Sequence, residues 1–326
     1  THLADFACAL ETFRRGSGVT YDLVHSHYWL SGWVGGWAQD VWGVPHVAMF
    51  HTLGATKNTA DVGEDEPELR IFTETEIVRS CRRVIAATRN EKEDLVRYYN
   101  AAPDAVGVVP CGVDLSLFRP VEKETARRKI GVDSTERIVL YVGRIVPLKG
   151  IERLLEAAAF LRRQMDLRIL IVGGDNGLGS QPELERLKQV SQELGIADRV
   201  IFAGRVKHEE LPYYYSAADV FVLPSYHESF GMAALESLAC GTPVVAGRVG
   251  GLESIIQTEE AGRLLSDFSP DSFGQSISEV LVESHSRSRP AESIQESVVD
   301  FGWANIADAM VEQYEMALNN RTDAVS

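Results

Sequence analysis

Ala218-Asp219-Val220-Phe221-Val222-Leu223-Pro224-Ser225-Tyr226-His227-Glu228-Ser229-Phe230-Gly231-Met232-Ala233-Ala234-Leu235-Glu236 is the stretch from which the fold can be read. The apolar run Val220 to Leu223 has the length and composition of a strand buried on both faces, as in parallel sheets. From Gly231 to Cys240 apolar residues recur at helical spacing until Gly241 and Pro243 stop them. A strand therefore ends, a loop carries Glu228, and a helix begins near Phe230. The first-turn N–H groups of a helix lack partners within it, and the helix dipole makes that end receptive to an anion such as phosphate. Glu236 follows Glu228 by eight residues, about 12 Å along a helix, too far for both carboxylates to share one proton or one small ion. That spacing suits the hydroxyls of two sugars joined through a diphosphate, the outline of a nucleotide-sugar. Glutamates on helices are usually just solvated, so the reading needs a matching basic element.

Tyr141-Val142-Gly143-Arg144-Ile145-Val146-Pro147-Leu148-Lys149-Gly150 supplies it. It follows another strand-like run, Arg137 to Val142, and opens a helix at Ile151. Gly143 at the strand end lets backbone approach a ligand closely, and ligands of parallel sheets bind where strands end. Arg144 and Lys149 can neutralise a diphosphate there. Both loops follow parallel strands of one sheet and so open on the same edge.

The chain has 326 residues, and at ~150 residues per domain two domains are expected. Lys and Arg number 32 against 47 Asp and Glu, for a formal charge of -15. A nucleic-acid binder needs basic surface, so that class is excluded, and an anionic ligand must be held by a few placed cations and backbone donors. No apolar stretch is long enough to span a membrane, and no signal peptide is present. Cys8, Cys81, Cys111 and Cys240 are widely spaced without C-x-x-C and lie in or beside apolar segments, the pattern of reduced core thiols in a cytoplasmic protein.

Strand-like and helix-like segments alternate almost throughout, which predicts an α/β fold of parallel sheets covered on both faces. A first series has strands near Asp22–Ser26, Pro45–Phe50, Val84–Ala87 and Val106–Val109. A second runs from Arg137 through Leu167–Val172, Arg199–Phe202, Val220–Leu223 and Val244–Ala246. Pro120 to Glu136 is charged and holds no strand. The expected domains are therefore 1–125 and 126–302, with a last helix, 303–326, packing back on the first.

The runs G-R-x-x-x-x-K-G (143–150), P-S-x-x-E-S-F-G-x-x-x-x-E (224–236) and C-G-T-P-V-V-A (240–246) resemble those of the retaining family-4 glycosyltransferases of GT-B fold. His25-Ser26-His27-Tyr28-Trp29-Leu30-Ser31-Gly32, His51-Thr52-Leu53-Gly54-Ala55-Thr56-Lys57-Asn58 and Arg70-Ile71 are similar to the branch of inositol-phosphate glycosyltransferases and sucrose-phosphate synthases. The resemblance covers nearly the whole chain and implies two Rossmann-like domains facing a cleft. It implies that Arg144 and Lys149 hold the diphosphate of an NDP-sugar, expected to be UDP-linked, with Glu236 on the ribose hydroxyls and Glu228 on those of the sugar. Phe230, Gly231, Met232 and Ala233 would offer backbone groups, and Val206 would meet the base. His51 would lie beside the donor sugar, with His51, Arg144, Lys149 and Glu228 as the catalytic set. Tyr28, Thr52 and Arg70 would hold the acceptor's phosphate; an Arg fork with two hydroxyls suits a phosphate monoester.

The family's opening strand and Gly-rich loop have no counterpart here, so the N-terminal domain reads as incomplete, and a lysine that the family brings to the acceptor phosphate is unassigned. The expected activity is hexosyl transfer with retention, with no cofactor and no catalytic metal, since no D-x-D sits at a strand end. A homodimer is allowed. A lipid-linked or polysaccharide acceptor is one alternative, and a non-catalytic nucleotide-sugar-binding domain another. Trp29, Trp33 and Trp37, four residues apart on one helical face, are expected in the core. His27 and His227 are expected to be pocket walls at most. Gly173-Gly174-Asp175-Asn176-Gly177 fails G-x-G-x-x-G, so no dinucleotide site is expected.

Overall fold

The computed structural model describes residues 2–59, 62, 65–162, 164–174, 180–286 and 290–319. Asp175, Asn176 and Gly177 of the glycine-rich run lie outside them. The chain forms two compact units: residues up to Cys111 together with those from Ala304, and Gly112–Trp303.

The first unit is built on a parallel sheet of order β1-β2-β3-β4: β1 Val24–His27, β2 His46–Met49, β3 Arg83–Ala86 and β4 Val106–Val108. All residues of β2 and β3 are buried, as expected of strands covered on both faces, and each opens on a buried polar side chain, His46 or Arg83, before its apolar run. Helices α1 (His2–Ser17), α2 (Tyr28–Trp42), α3 (Gly54–Asn58), α4 (Glu68–Ser80) and α5 (Arg89–Tyr99) come before and between them. Helix α2 buries Gly32, Val34, Gly35 and Ala38, not the tryptophan face, and Trp33 is 44% exposed. The cause is close approach. A Cβ on Gly35 would lie 2.3 Å from His46 Nε2, and one on Gly32 2.6 Å from Ile77 Cδ1. Small residues let the helix sit against β2 and α4, so Trp33 turns outward, while Trp29 packs at the core's edge and Trp37 stays half-buried against Trp42. Cys8 is also exposed, against its expected place in the core; all four cysteines are free thiols.

The C-terminal helix Trp303–Asn319 completes this unit. Arg83 at the start of β3 donates from Nε and Nη2 to Gln313 Oε1, at 3.2 and 2.7 Å, and His25 Nδ1 lies 2.7 Å from the Tyr314 hydroxyl.

The second unit carries a six-stranded parallel sheet of order β10-β9-β8-β5-β6-β7. Its strands are β5 Ile138–Val142, β6 Arg168–Val172, β7 Val200–Gly204, β8 Val220–Leu223, β9 Val244–Gly247 and β10 Gly262–Leu265. The chain moves outward from β5 to β7, returns to lay β8 beside β5, and moves outward on the other side. At such a reversal the loops leaving β5 and β8 diverge and open a crevice at the strands' C-terminal ends. The edge strand β10, with one fully buried residue, is the strand that sequence reading missed. Helices α6 (Lys123–Ile130), α7 (Ile151–Leu161), α8 (Ser180–Glu193), α9 (Leu211–Ala217), α10 (Met232–Ala239), α11 (Leu252–Ile255), α12 (Pro270–Ser286) and α13 (Ala291–Glu296) accompany it.

The break between units falls at Cys111/Gly112, not at 125/126. Arg127 of α6 is buried and donates to Asp219 Oδ2 at 2.9 Å and to the Ala217 carbonyl at 3.1 Å, while Lys123 also pairs with Asp219. Asp219 in turn accepts the Ile138 N–H at 2.7 Å. The Val121 N–H reaches Ser216 Oγ at 3.1 Å, and Val113 donates to Phe301 at 2.9 Å. A stretch that is charged and strandless in sequence is thus tied to the second sheet through one buried carboxylate. The return to the first unit likewise falls after Trp303, one residue beyond the expected start of the last helix.

At the head of α5, Thr88 Oγ1 accepts the Glu91 N–H at 3.0 Å and Glu91 Oε2 accepts the Ala87 N–H at 2.7 Å, a form of capping box. Burial pushes the Glu91 carboxyl from its ordinary 4.5 up to about 7, opposed by the Ala87 N–H. The folded chain therefore keeps a proton that the unfolded chain releases near 4.5, so stability falls as pH rises from 4.5 to 7 and the penalty is full above that. Glu91→Gln keeps an acceptor for Ala87 and removes the charge. It is expected to be more stable than the parent by about 1–2 kcal/mol in urea unfolding at pH 8, with little difference near pH 4.5; a loss of stability at pH 8 would contradict this account.

Candidate functional site

The loop after β5 is held from below. The Tyr141 hydroxyl, on a fully buried side chain, donates to the Arg144 carbonyl at 2.8 Å, which curls the loop and leaves the Arg144 side chain exposed. A short turn, Pro147–Lys149, then ends at Gly150 with φ +62, and a Cβ there would lie 2.3 Å from the Pro224 carbonyl oxygen. Only glycine lets this loop touch the end of β8 in that conformation. Lys149 follows as a consequence: its Nζ stands 2.5 Å from Glu228 Oε1, which also accepts Ser225 Oγ at 2.7 Å. Gly250, φ +57, supports Glu228 from the other side, with its Cβ direction 1.7 Å from the Glu228 carbonyl.

Helix α10 starts at Met232, and its N-cap, Gly231 at φ +103, contributes no side-chain cap. The Ala234 N–H already donates to the Gly231 carbonyl at 3.0 Å, so the N–H groups of Met232 and Ala233 are the first-turn donors left for another acceptor. Phe230 and Gly231 are buried, Ala233 half-buried and Met232 exposed. Glu236 lies one helical turn further along. Its Oε2 accepts the buried Tyr215 hydroxyl at 2.8 Å, and His208 Nε2 is 3.6 Å from its Oε1. Burial raises its pKa, against the lowering effect of those two partners. Val206 is half-buried just past β7. Lys149, Glu228 and the start of α10 therefore belong to one neighbourhood. Ser225, Tyr215, His208 and Gly250 act in it although sequence reading gave them no role; of these only Ser225 lay in a quoted motif.

In the first unit, Tyr28 and His51 adopt left-handed backbone, φ +71 and +63, which non-glycine residues rarely do and which concentrates at functional sites. His27 Nδ1 is 2.8 Å from His51 Nε2, with the rings stacked at 5.0 Å, and His25 stands 4.2 Å from His27. Burial, and then His27, lowers the His51 pKa, and burial lowers that of His27, so both are neutral imidazoles at pH 7 and one must donate to the other. His27 is therefore a direct partner of His51, more than a wall.

Arg70 is 2% exposed and is engaged through all three guanidinium nitrogens. Nε donates to Glu74 at 2.8 Å, Nη1 meets Glu66 at 2.8 Å, and Nη2 donates to both the carbonyl and Oγ1 of Thr52 at 2.8 Å. The Tyr28 ring lies 5.0 Å from the guanidinium carbon. Tyr28, Thr52 and Arg70 thus converge, with the guanidinium buried and paired with two carboxylates. Among the described residues no three His, Cys, Asp or Glu side chains are grouped as metal ligands.

The family model for Glycosyl transferases group 1 matches residues 122–297, and that for Glycosyltransferase Family 4 matches residues 2–117. D-inositol 3-phosphate glycosyltransferase 2 of Catenulispora acidiphila is 42% identical over 307 residues, which cover 92% of this chain and 72% of that protein. D-inositol 3-phosphate glycosyltransferase of Corynebacterium efficiens is 39% identical over 331 residues, covering 99% and 78%. Among solved structures, sucrose-phosphate synthase from Thermosynechococcus elongatus superposes with a TM-score of 0.87 at 34% identity, over 98% of this chain and 78% of that one. HepE of Anabaena, in complex with UDP, shares the fold at 21% identity with a TM-score of 0.82, over 95% and 82% of the two chains.

The contact between Gly250 and the Glu228 carbonyl gives a direct test of the loop's construction. Gly250→Ala should cost about 2 kcal/mol or more of stability in the second unit by chemical denaturation; a neutral substitution would show that the close approach does not hold.

Proposed function

Because the chain belongs to the glycosyltransferases of group 1 and family 4, we propose that it transfers a sugar from an NDP-sugar, UDP-linked, to a small phosphorylated acceptor such as an inositol phosphate or a hexose phosphate. The names of its relatives, D-inositol 3-phosphate glycosyltransferase and sucrose-phosphate synthase, support that class of acceptor. The observation that carries the reading is the meeting of Lys149 and Glu228, 79 residues apart, where the strand order of the second sheet reverses.

In this reading Arg144, Lys149 and the first turn of α10 receive the diphosphate. Breaking the bond from the anomeric carbon leaves oxocarbenium character on the sugar and added negative charge on the departing phosphate. Cations and helix N–H groups fixed in advance act most strongly on charge that develops as the bond breaks. Glu228 takes the hydroxyls of the sugar and Glu236 those of the ribose, with Tyr215 occupying one Glu236 oxygen and fixing the carboxylate's direction. Val206 borders the base. His51, a neutral imidazole, stands beside the donor sugar as a polar contact, without the carboxylate character that a glycosyl-enzyme intermediate needs. Transfer then proceeds with retention by front-side attack, the leaving phosphate oxygen taking the acceptor's proton, without a catalytic metal. Tyr28, Thr52 and Arg70 hold the acceptor's phosphate.

Mass spectrometry of products from a panel of nucleotide-sugars offered with inositol phosphate, fructose 6-phosphate and their unphosphorylated counterparts tests the reading; transfer to the unphosphorylated compounds alone would overturn it. NMR of the product's anomeric proton decides retention. Lys149→Met is expected to lower kcat/KM by about 10²–10³, with the effect largely in kcat. Arg70→Ala should raise acceptor KM by about 10²-fold while donor KM stays within twofold; an unchanged acceptor KM would remove Arg70 from the acceptor site.

A further inference from the structure

His27 ends β1 and is the N-cap of α2, yet its side chain makes no cap hydrogen bond. Serine, threonine, aspartate or asparagine at an N-cap would accept a first-turn N–H and stabilise the helix, so the position forgoes a local gain. The ring is committed elsewhere, with Nδ1 2.8 Å from His51 Nε2. Strand pairing brings the two rings together: His27 lies opposite Met49 in the parallel register of β1 and β2, and His51 follows two residues later at φ +63. The His27 ring also lies 4.2 Å from that of His25, whose Nδ1 is 2.7 Å from the Tyr314 hydroxyl on the last helix. The chain thus supports His51 through β1 and the C-terminal helix at the expense of a helix cap.

Two neutral imidazoles can make this contact only if one of the facing nitrogens carries hydrogen and the other does not. The bond therefore sets which nitrogen of His51 is protonated, and so whether its Nδ1 offers a hydrogen or a lone pair. Turning the His51 ring over would break it. An aspartate in place of His27 would also orient His51, but it would favour the imidazolium, and a cation beside a sugar with oxocarbenium character opposes bond breaking. A neutral ring orients without that cost.

We propose that His27 is a positioning residue for sugar transfer: it fixes the tautomer and the ring orientation of His51, so that His51 presents one unchanging polar group to the donor sugar. The inference rests on the reading of His51 as a contact of that sugar. It accounts for a histidine at a helix start where a capping side chain would serve the fold better.

The test is steady-state kinetics of the full chain with a UDP-sugar and inositol phosphate, on His27→Ser, His27→Phe, His51→Ala and the double variant His27→Phe/His51→Ala, with circular-dichroism melting alongside. His27→Phe keeps a ring beside His25 and His51 but has no ring nitrogen; it should lower kcat about tenfold, with the KM for inositol phosphate within twofold. His27→Ser supplies a helix cap that cannot reach His51, so it should melt at or above the parent's temperature while losing a similar part of kcat, a split that a purely structural role would not produce. In the His51→Ala background, His27→Phe should change kcat less than about twofold. Nitrogen-15 NMR of histidine-labelled protein at neutral pH should show His51 as a single tautomer in the parent and as a mixture in His27→Phe. If His51→Ala slows transfer while His27→Phe does not, or if His27→Phe slows it equally without His51, or if the parent's His51 is already a mixture, this inference is overturned and the reading of His51 stands. If His51→Ala leaves kcat and donor KM unchanged, both fall.

Discussion

The pairing of β5 with β8 is short, Val139 with Val220 and Leu140 with Phe221, yet the second unit's chemistry depends on it. A parallel sheet that grew in one direction would set every loop beside the loop of the preceding strand. Returning to pair β8 with β5 places two loops from distant parts of the sequence side by side with space between them. Asp219, the residue before β8, anchors this return: its carboxylate takes the first N–H of β5 and the buried guanidinium of Arg127. A buried ion pair contributes little net stability, but it is costly to break, and here it fixes which strand lies next to which. Lys149 and Glu228 meet because that register is set.

The first unit relies on buried polar groups in a different way. Arg70 is enclosed by Glu66, Glu74 and the Thr52 backbone, and Glu74 links it to Tyr99 and to the backbone of the loop that carries His51 and Thr52. The guanidinium and the loop are thus parts of one hydrogen-bonded cluster that fixes the arginine's orientation. The histidines of β1 and of that loop are kept uncharged by burial, so they bring polarity near the site without adding to its charge. Left-handed backbone at Tyr28 and His51 shows where surrounding contacts hold the chain against its local preference.

The sequence carried the parallel sheets well because β2, β3, β5 and β8 are buried throughout and read as apolar runs, interrupted only by His46 and Arg83 at the starts of β2 and β3. It carried β10 poorly, since an edge strand with partly exposed residues leaves no such run. The motif residues Lys149, Glu228 and Arg70 could be named because glycines and strand ends mark their loops. Tyr215, which fixes Glu236, and Glu74, which fixes Arg70, carry no local signal: a tyrosine or glutamate on a helix looks the same whether it faces water or a buried partner. The boundary was misplaced for the same reason, because the partners of Lys123 and Arg127 lie about ninety residues downstream. The tryptophans of α2 misled because periodicity marks which residues share a face, not how close that face comes to the sheet, and Gly32 and Gly35 decide the latter.

The chain leaves its first compact unit after Cys111 and comes back to it only at Ala304. On the ribosome, β3 is therefore made long before Gln313, the residue that satisfies its Arg83 guanidinium. The intervening unit has all six strands of its sheet encoded within Gly112–Trp303 and can collapse as soon as it emerges. Until then Arg83 has its bond to the Asp104 carbonyl but lacks its partner on the last helix, an interval in which chaperone capture would be most useful.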